Sequence, residues 1–474
     1  MKDNSGNSSE TAIKKPPIGF AVFALVGPSL VWAAEYIGSG EVIVATRTGA
    51  ILGTSVLWAI VFGVFLKYWI GMSGARYTVC TGEGMIDMFD RMPGPKHWAV
   101  WIVLVAQFAA AAFSIGAVAT AAGVFINSII PIGTNFSGWL VTFIAVGIVW
   151  SGIFDVLKIA MSFFVLVIVI GVLYVAAYTF PGFTEFCKSL IPGIPKVPEW
   201  ALGLKSVSSN PWKEVLPLLG WSAGGFASQV WYTYWVLGAG YGATASRGYG
   251  KAADVTMLNN MTHETAKKIK GWCRVLYVDA TLAMVIGIVV TSAFLIAGAG
   301  ILRVAKIAPE GPQVGIKLSN LFASRWGSVG GFLFLLSGTA ALISTQIGQL
   351  AGWPRLLADT FRICIPGFNK KFAWKRQFRL FLLFFICTNL IIVFCFKEKP
   401  VFIVQTAAIL DGLLLTPLQA VWVAIGLFVV MPKLLSEEAF TILKPNRIFA
   451  VILIIAFLVF GYFCIFQIPS VIFK

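Results

Sequence analysis

The residues in this 474-residue chain with the clearest chemical potential are acids and amides embedded in apolar sequence. Glu41 directly follows Gly38-Ser39-Gly40 in the middle of an apolar run, and Glu35 precedes the same break. A second run, Leu218-Leu219-Gly220-Trp221-Ser222-Ala223-Gly224-Gly225-Phe226-Ala227-Ser228-Gln229, ends on an amide, and Gln107, Gln405 and Asp411 stand in further apolar stretches. Carboxylate, amide carbonyl and hydroxyl oxygens, with water, suit hard divalent cations, whereas thioether sulfur suits softer ones. A carboxylate at mid-bilayer costs about 3 kcal/mol on insertion scales, so Glu41 reads as a functional group, with a structural ion pair as the alternative.

These residues need elements to position them. A continuous helix over 18–53 would be about 50 Å long, against a hydrocarbon core of about 30 Å. Two half-helices meeting at depth fit better. The backbone groups freed at Gly38-Ser39-Gly40 must then line a cavity enclosed by protein. Apolar runs of spanning length predict about eleven spans: 18–53, 54–75, 98–126, 137–154, 156–180, 215–238, 272–299, 328–352, 377–396, 400–431 and 447–470. The fold class expected is an all-α polytopic membrane protein. Spans one and six are both interrupted by glycine and serine, and corresponding breaks in two halves of five spans point to an inverted repeat with its site between the breaks. Close helix packing through glycine is the alternative reading of either break alone. The organisation expected is a polar tail over 1–17, a first repeat over 18–180, a connection over 181–214, a second repeat over 215–431, and an extra helix with the C-terminus over 432–474.

Composition agrees: 58% of residues are hydrophobic and 12% charged, far from the soluble norm of about 25% charged. The net charge of +16 is a topology signal. Basic residues favour the connections that lie inside if the N-terminus is cytoplasmic, among them Arg247, Lys251, Lys267, Lys268 and Lys270, and Lys370, Lys371, Lys375 and Arg376. The connections expected outside carry fewer, among them Lys188, Lys196, Lys205 and Lys213. This places the protein in the cell membrane with an extracellular C-terminus, and reads 1–15 as a cytoplasmic start, not a signal peptide. Seven cysteines show no metal-ligand spacing.

Enzymatic readings find little support. The two histidines, His97 and His263, lie in connections, and neither HExxH nor GxxxxGK[ST] occurs. The Gly238–Gly250 stretch reads as a loop, not a phosphate cradle, and Trp231–Trp235 as packing or a cavity wall. Asp279 and Lys67 read as interfacial or paired. Glu35 reads either as a vestibule acid or as a partner of Lys67 or Arg47.

The stretch Gly27-Pro28-Ser29-Leu30-Val31, Tyr36-Ile37-Gly38-Ser39-Gly40-Glu41, Gly49-Ala50 and Leu57-Trp58 resembles the first span of the NRAMP family of divalent metal-ion transporters. That family has Asp-Pro-Gly-Asn where this chain has Gly38-Ser39-Gly40-Glu41, and Met-Pro-His where it has Ala227-Ser228-Gln229. Gln405 matches a glutamine of the family's tenth span that approaches the metal, and Ile343-Ser344-Thr345-Gln346-Ile347-Gly348 is similar to its eighth. The departures are of the kind found in the NRAMP-related magnesium transporters, a divergent branch. The resemblance implies a LeuT-like five-plus-five fold and a site that keeps hard oxygens and loses the methionine sulfur.

The expectation is therefore a secondary importer of hard divalent cations, Mg²⁺ first and Mn²⁺ second, with no cofactor. The ion would sit in a wide cavity, partly hydrated, with Glu41 as its principal charged ligand. Ser39, Gln229 and Gln405 would be neutral donors, Gly38 and Ala227 would give room, and Glu35, Gln107 and Asp411 would lie on the pathway. The expected partners are the metal ion and the bilayer, with no nucleic acid and no obligatory protein. The alternative is a proton- or sodium-coupled carrier of an amino acid or other small organic solute on the same frame.

Overall fold

The computed structural model describes residues 13–22, 26–204, 206–311 and 314–472; the first twelve residues of the expected N-terminal tail, and Lys205, lie outside them. Among the described residues eight helices are long and apolar enough to cross a membrane: Thr54–Thr81, Trp98–Ile129, Phe154–Gly171, His263–Leu302, Gly327–Cys364, Trp374–Phe396, Pro400–Leu434 and Arg447–Val471. Thr134–Val149 is a shorter apolar helix between the second and third of these. The two interrupted spans complete the expected eleven. The described residues are all-α, a LeuT-like five-plus-five bundle with an added C-terminal helix. We number the spans one to eleven in chain order and call inner the face at which span one begins.

Span one runs as Pro28–Tyr36, breaks over Ile37–Ser39, and resumes as a wide π turn, Gly40–Ala45, leading into Thr46–Leu52. It begins at Pro28, not at residue 18, because proline suits the first helical position, where its missing N–H costs nothing; Ile18 and Phe20 ahead of it are exposed. Span six is Trp212–Trp221 and Phe226–Ala239. Its break turns through Ala223 (φ 60°) and Gly224 (φ 71°), consecutive left-handed positions that cost strain at the alanine.

The sequence reading missed a third break. Span ten stops at Gly412, crosses Leu413–Leu415, and restarts at Thr416, with Pro417 in the first turn of the second half. The three breaks meet. A Cβ on Gly220 would lie 2.2 Å from the Ala408 carbonyl oxygen, and one on Gly412 would lie 2.1 Å from the Gly220 oxygen. Only glycine permits spans six and ten to approach this closely. Polar groups gather around these breaks, while the outward faces of spans five and eleven present Ile159, Phe163, Leu166, Leu458 and Ile465, the side chains lipid requires.

Candidate functional site

The site follows from what the breaks leave unsatisfied. A small cavity of about 20 Å³ lies between them, lined by Glu35 and Ser39 of span one, Thr345 and Gln349 of span eight and Asp411 of span ten, with Trp221 and Gly224 from span six. That is room for about one water-sized body, not the wide cavity expected.

Glu35 is fixed by a relay. The Trp32 indole N–H donates to Ser228 Oγ at 3.0 Å, and the Ser228 hydroxyl donates to Glu35 Oε2 at 2.7 Å. Span eight backs the stem of this acid so closely that a Cβ on Gly348 would lie 2.4 Å from Glu35 Cγ. Asp411, at the end of span ten's outer half, lies beside the start of span six's inner half, where a Cβ on Gly225 would lie 2.4 Å from its Oδ2. It accepts from the Trp221 indole at 3.4 Å. A carboxylate at a helix N-terminus complements the dipole. One oxygen of Asp411 is left over. Asp411 Oδ1, Ser39 Oγ and Gln349 Oε1 are buried without a hydrogen-bond partner among the described residues, and all three residues line the cavity. Buried oxygens of this kind ordinarily find partners. Thr345 also lines it, its hydroxyl donating to the Ile37 carbonyl freed at the break at 3.2 Å.

The other expected site residues stand elsewhere. Glu41 reaches back to accept from the Gly38 amide at 2.7 Å and accepts from the Thr291 hydroxyl at 3.2 Å. It caps the restarting helix by reaching the amide three positions back, as a capping-box glutamate does, and is not among the residues lining the cavity. Gly38 gives no spare room, because a Cβ there would lie 2.1 Å from Thr345 Oγ1. Gln229 Nε2 donates to the Ala223 carbonyl at 3.0 Å, and Ala227 is fully buried and is not among the residues lining the cavity. Gln405 Nε2 donates to Glu214 at 3.1 Å, toward the outer face. Gln107 is buried with both amide atoms unpartnered among the described residues, away from the cavity. Gln349 escaped the sequence reading because span eight carries both Gln346 and Gln349, and nothing in an apolar helix says which of the two faces the breaks. Among the described residues no three His, Cys, Asp or Glu side chains cluster as a metal centre.

Residues 29–204 match the protein-family model described as Natural resistance-associated macrophage protein-like. Over that stretch the chain resembles the Nramp family. It is 31% identical over 80 residues to the divalent metal cation transporter MntH of Yersinia enterocolitica, a stretch covering 17% of this chain and 20% of that protein. It is 30% identical over 80 residues to MntH of Pectobacterium carotovorum, covering 17% and 19%. The chain thus spans about a fifth of the length of the curated relatives it matches. Its fold is that of the Eremococcus coleocola manganese transporter, at TM-score 0.65 and 15% identity over 95% of this chain and 88% of that one. Mhp1, a nucleobase-cation-symport-1 family transporter in a closed conformation, gives TM-score 0.57 at 12% identity over 94% and 92%.

Buried polar contacts flank the cavity on both sides. Toward the outer face, Arg47 Nε and Nη2 bond the Glu214 carboxylate at 3.0 and 3.1 Å, and Nη1 donates to the Pro309 carbonyl at 2.7 Å. Both charged side chains are buried. Toward the inner face, Asp279 of span seven holds the start of span one, accepting from the Gly27 amide at 3.1 Å and the Ser29 hydroxyl at 2.9 Å. Its other oxygen accepts from Tyr232 of span six at 2.8 Å. Arg47, considered as a partner for Glu35, is therefore engaged elsewhere, as is Lys67, which donates to the backbone carbonyls of Leu219, Gly220 and Gly224, and Asp279 is a buried latch, not an interfacial group.

Proposed function

We propose that this protein is a secondary transporter of hard divalent cations, binding the ion between the breaks of spans one, six and ten. The observation that carries the reading is the set of unpartnered oxygens, Asp411 Oδ1, Ser39 Oγ and Gln349 Oε1, around a one-body cavity that also receives Glu35. Two carboxylates and neutral oxygens are what a hard dication needs. Among the described residues no sulfur or imidazole lines the cavity, which disfavours selection for soft ions. Glu35 and Asp411 are the charged ligands in this proposal, Ser39 and Gln349 the neutral ones. Glu41 shapes the break that presents them.

An ion in so narrow a space has exchanged most of its water for protein oxygens. Mg²⁺ dehydrates reluctantly, so the closed form accommodates Mn²⁺ better than Mg²⁺, the reverse of the order expected from sequence. The same narrowness weighs against an organic solute, whose pockets are about 300–1,000 Å³. Alternating access would open the Arg47–Glu214 closure on one side and the Asp279 latch on the other. The test is uptake by the purified protein in liposomes. Mn²⁺ and Mg²⁺ entry, unaffected by excess amino acids, is expected; uptake of an organic solute without metal entry would refute the reading.

A further inference from the structure

Lys67 is a buried ammonium for which the transport scheme above has no use. It stands in span two, within Leu57–Thr81, fully buried. Its nitrogen donates to three backbone carbonyls, Leu219 at 2.7 Å, Gly220 at 2.5 Å and Gly224 at 2.7 Å. Three donors meet three acceptors, and no carboxylate bonds it among the described residues. Asp411 and Glu41 are the acids close enough to act on it through space. The aromatic ring of Phe460 lies 5.9 Å from the nitrogen on the span-eleven side.

The acceptors come from the end and the break of span six's outer half, where the last carbonyls of a helix have no intrahelical partner and the dipole is negative. Carbonyls converging at an unwound helix end form a cation site, and transporters of this architecture use such ends to hold coupling ions. A lone ammonium is an expensive choice for a merely structural contact, since burying a charge is costly unless it is fully paired. The Gly220 carbonyl also abuts Gly412 of span ten, so the ammonium sits where two of the three breaks touch.

We propose that Lys67 is a tethered coupling cation: its ammonium permanently fills a three-carbonyl monovalent-cation site at the break of span six, so that the protein needs no free alkali cation to hold that break. The proposal goes beyond the cargo reading and is independent of which ion is carried. Lys67→Ala empties the site for a small cation, whereas Lys67→Met fills the space without charge.

The measurement is the melting temperature of the purified full-length protein in sodium, potassium, methylammonium or choline chloride at constant ionic strength, without divalent metal. The expected result is a saturable rise in sodium or methylammonium over choline for Lys67→Ala, and none for the wild type or Lys67→Met. Should Lys67→Ala fold only when sodium or methylammonium is present, that counts as the same result. Indifference of Lys67→Ala to every cation, its failure to fold in all of them, or saturable sodium stabilisation of the wild type would overturn the proposal.

Discussion

Replacing Arg47 by methionine perturbs the outer closure in a way whose size can be worked out. Arg47 is buried and makes two bonds to Glu214, at 3.0 and 3.1 Å. Removing one partner of a buried ion pair costs roughly 3–5 kcal/mol, because the remaining charge is left without compensation. The cost falls on the closed form alone, since opening lets water reach Glu214. The open-to-closed ratio should therefore rise by about 150- to 5,000-fold. Thr48, buried just beneath and donating to the Glu214 carbonyl at 3.2 Å, is a suitable reporter as cysteine. The exposed cysteines 187, 387 and 395 are first changed to serine. The rate at which a membrane-impermeant thiol reagent modifies residue 48 should rise at least a hundredfold in Arg47→Met. Adding Glu214→Met should restore much of the protection, because an apolar pair can replace a buried ion pair at little cost. A rise of less than tenfold in Arg47→Met, or no protection from the second change, would refute the assignment of this pair as the outer closure.

Two further outcomes test the inner parts of the structure. Gly348→Ala places a Cβ 2.4 Å from Glu35 Cγ, and such overpacking costs about 1–3 kcal/mol. It should weaken cation binding by about 5- to 150-fold, while Gly147→Ala, with nothing within 4 Å of the added carbon, should bind normally in the same titration. At the inner face, burial pushes Asp87 up to about 7 despite Arg362 alongside it, where Arg362 Nη2 donates to it at 2.7 Å. The unfolded value is about 3.9, so the native state holds the extra proton between about pH 4 and 7, and this group's contribution to stability falls as pH rises through that window. The melting temperature of the wild type relative to Asp87→Asn should decline from pH 4 to 7 and then level off; a constant difference would contradict this.

The fold was legible because hydropathy and the two glycine–serine interruptions are local signals. The span-ten break was not, because Leu413-Leu414-Leu415 reads as uninterrupted apolar helix and Pro417 alone does not announce a stop. The site was half legible. The acids were named, but their roles depend on how a break folds back. Counted along a continuous helix, Glu35 lies almost two turns from Glu41 and reads as vestibular, yet it is the glutamate that lines the cavity. Glu41 follows the break by the spacing that lets a glutamate reach the freed Gly38 amide, and that geometry exists only once the helix is interrupted. Lys67 was unreadable for the same reason, since its acceptors are backbone carbonyls of a distant break and no side-chain pattern marks them.

The most direct test of the proposed site is calorimetric titration of Mn²⁺ and Mg²⁺ into the purified wild type, Glu35→Gln, Asp411→Asn and Glu41→Gln. Saturable binding by the wild type is expected, with loss in Glu35→Gln and in Asp411→Asn. Glu41→Gln should bind more weakly but retain the site, because its amide oxygen can still accept from Gly38. Unchanged binding in both Glu35→Gln and Asp411→Asn, with loss confined to Glu41→Gln, would contradict the placement of the ion between Glu35 and Asp411.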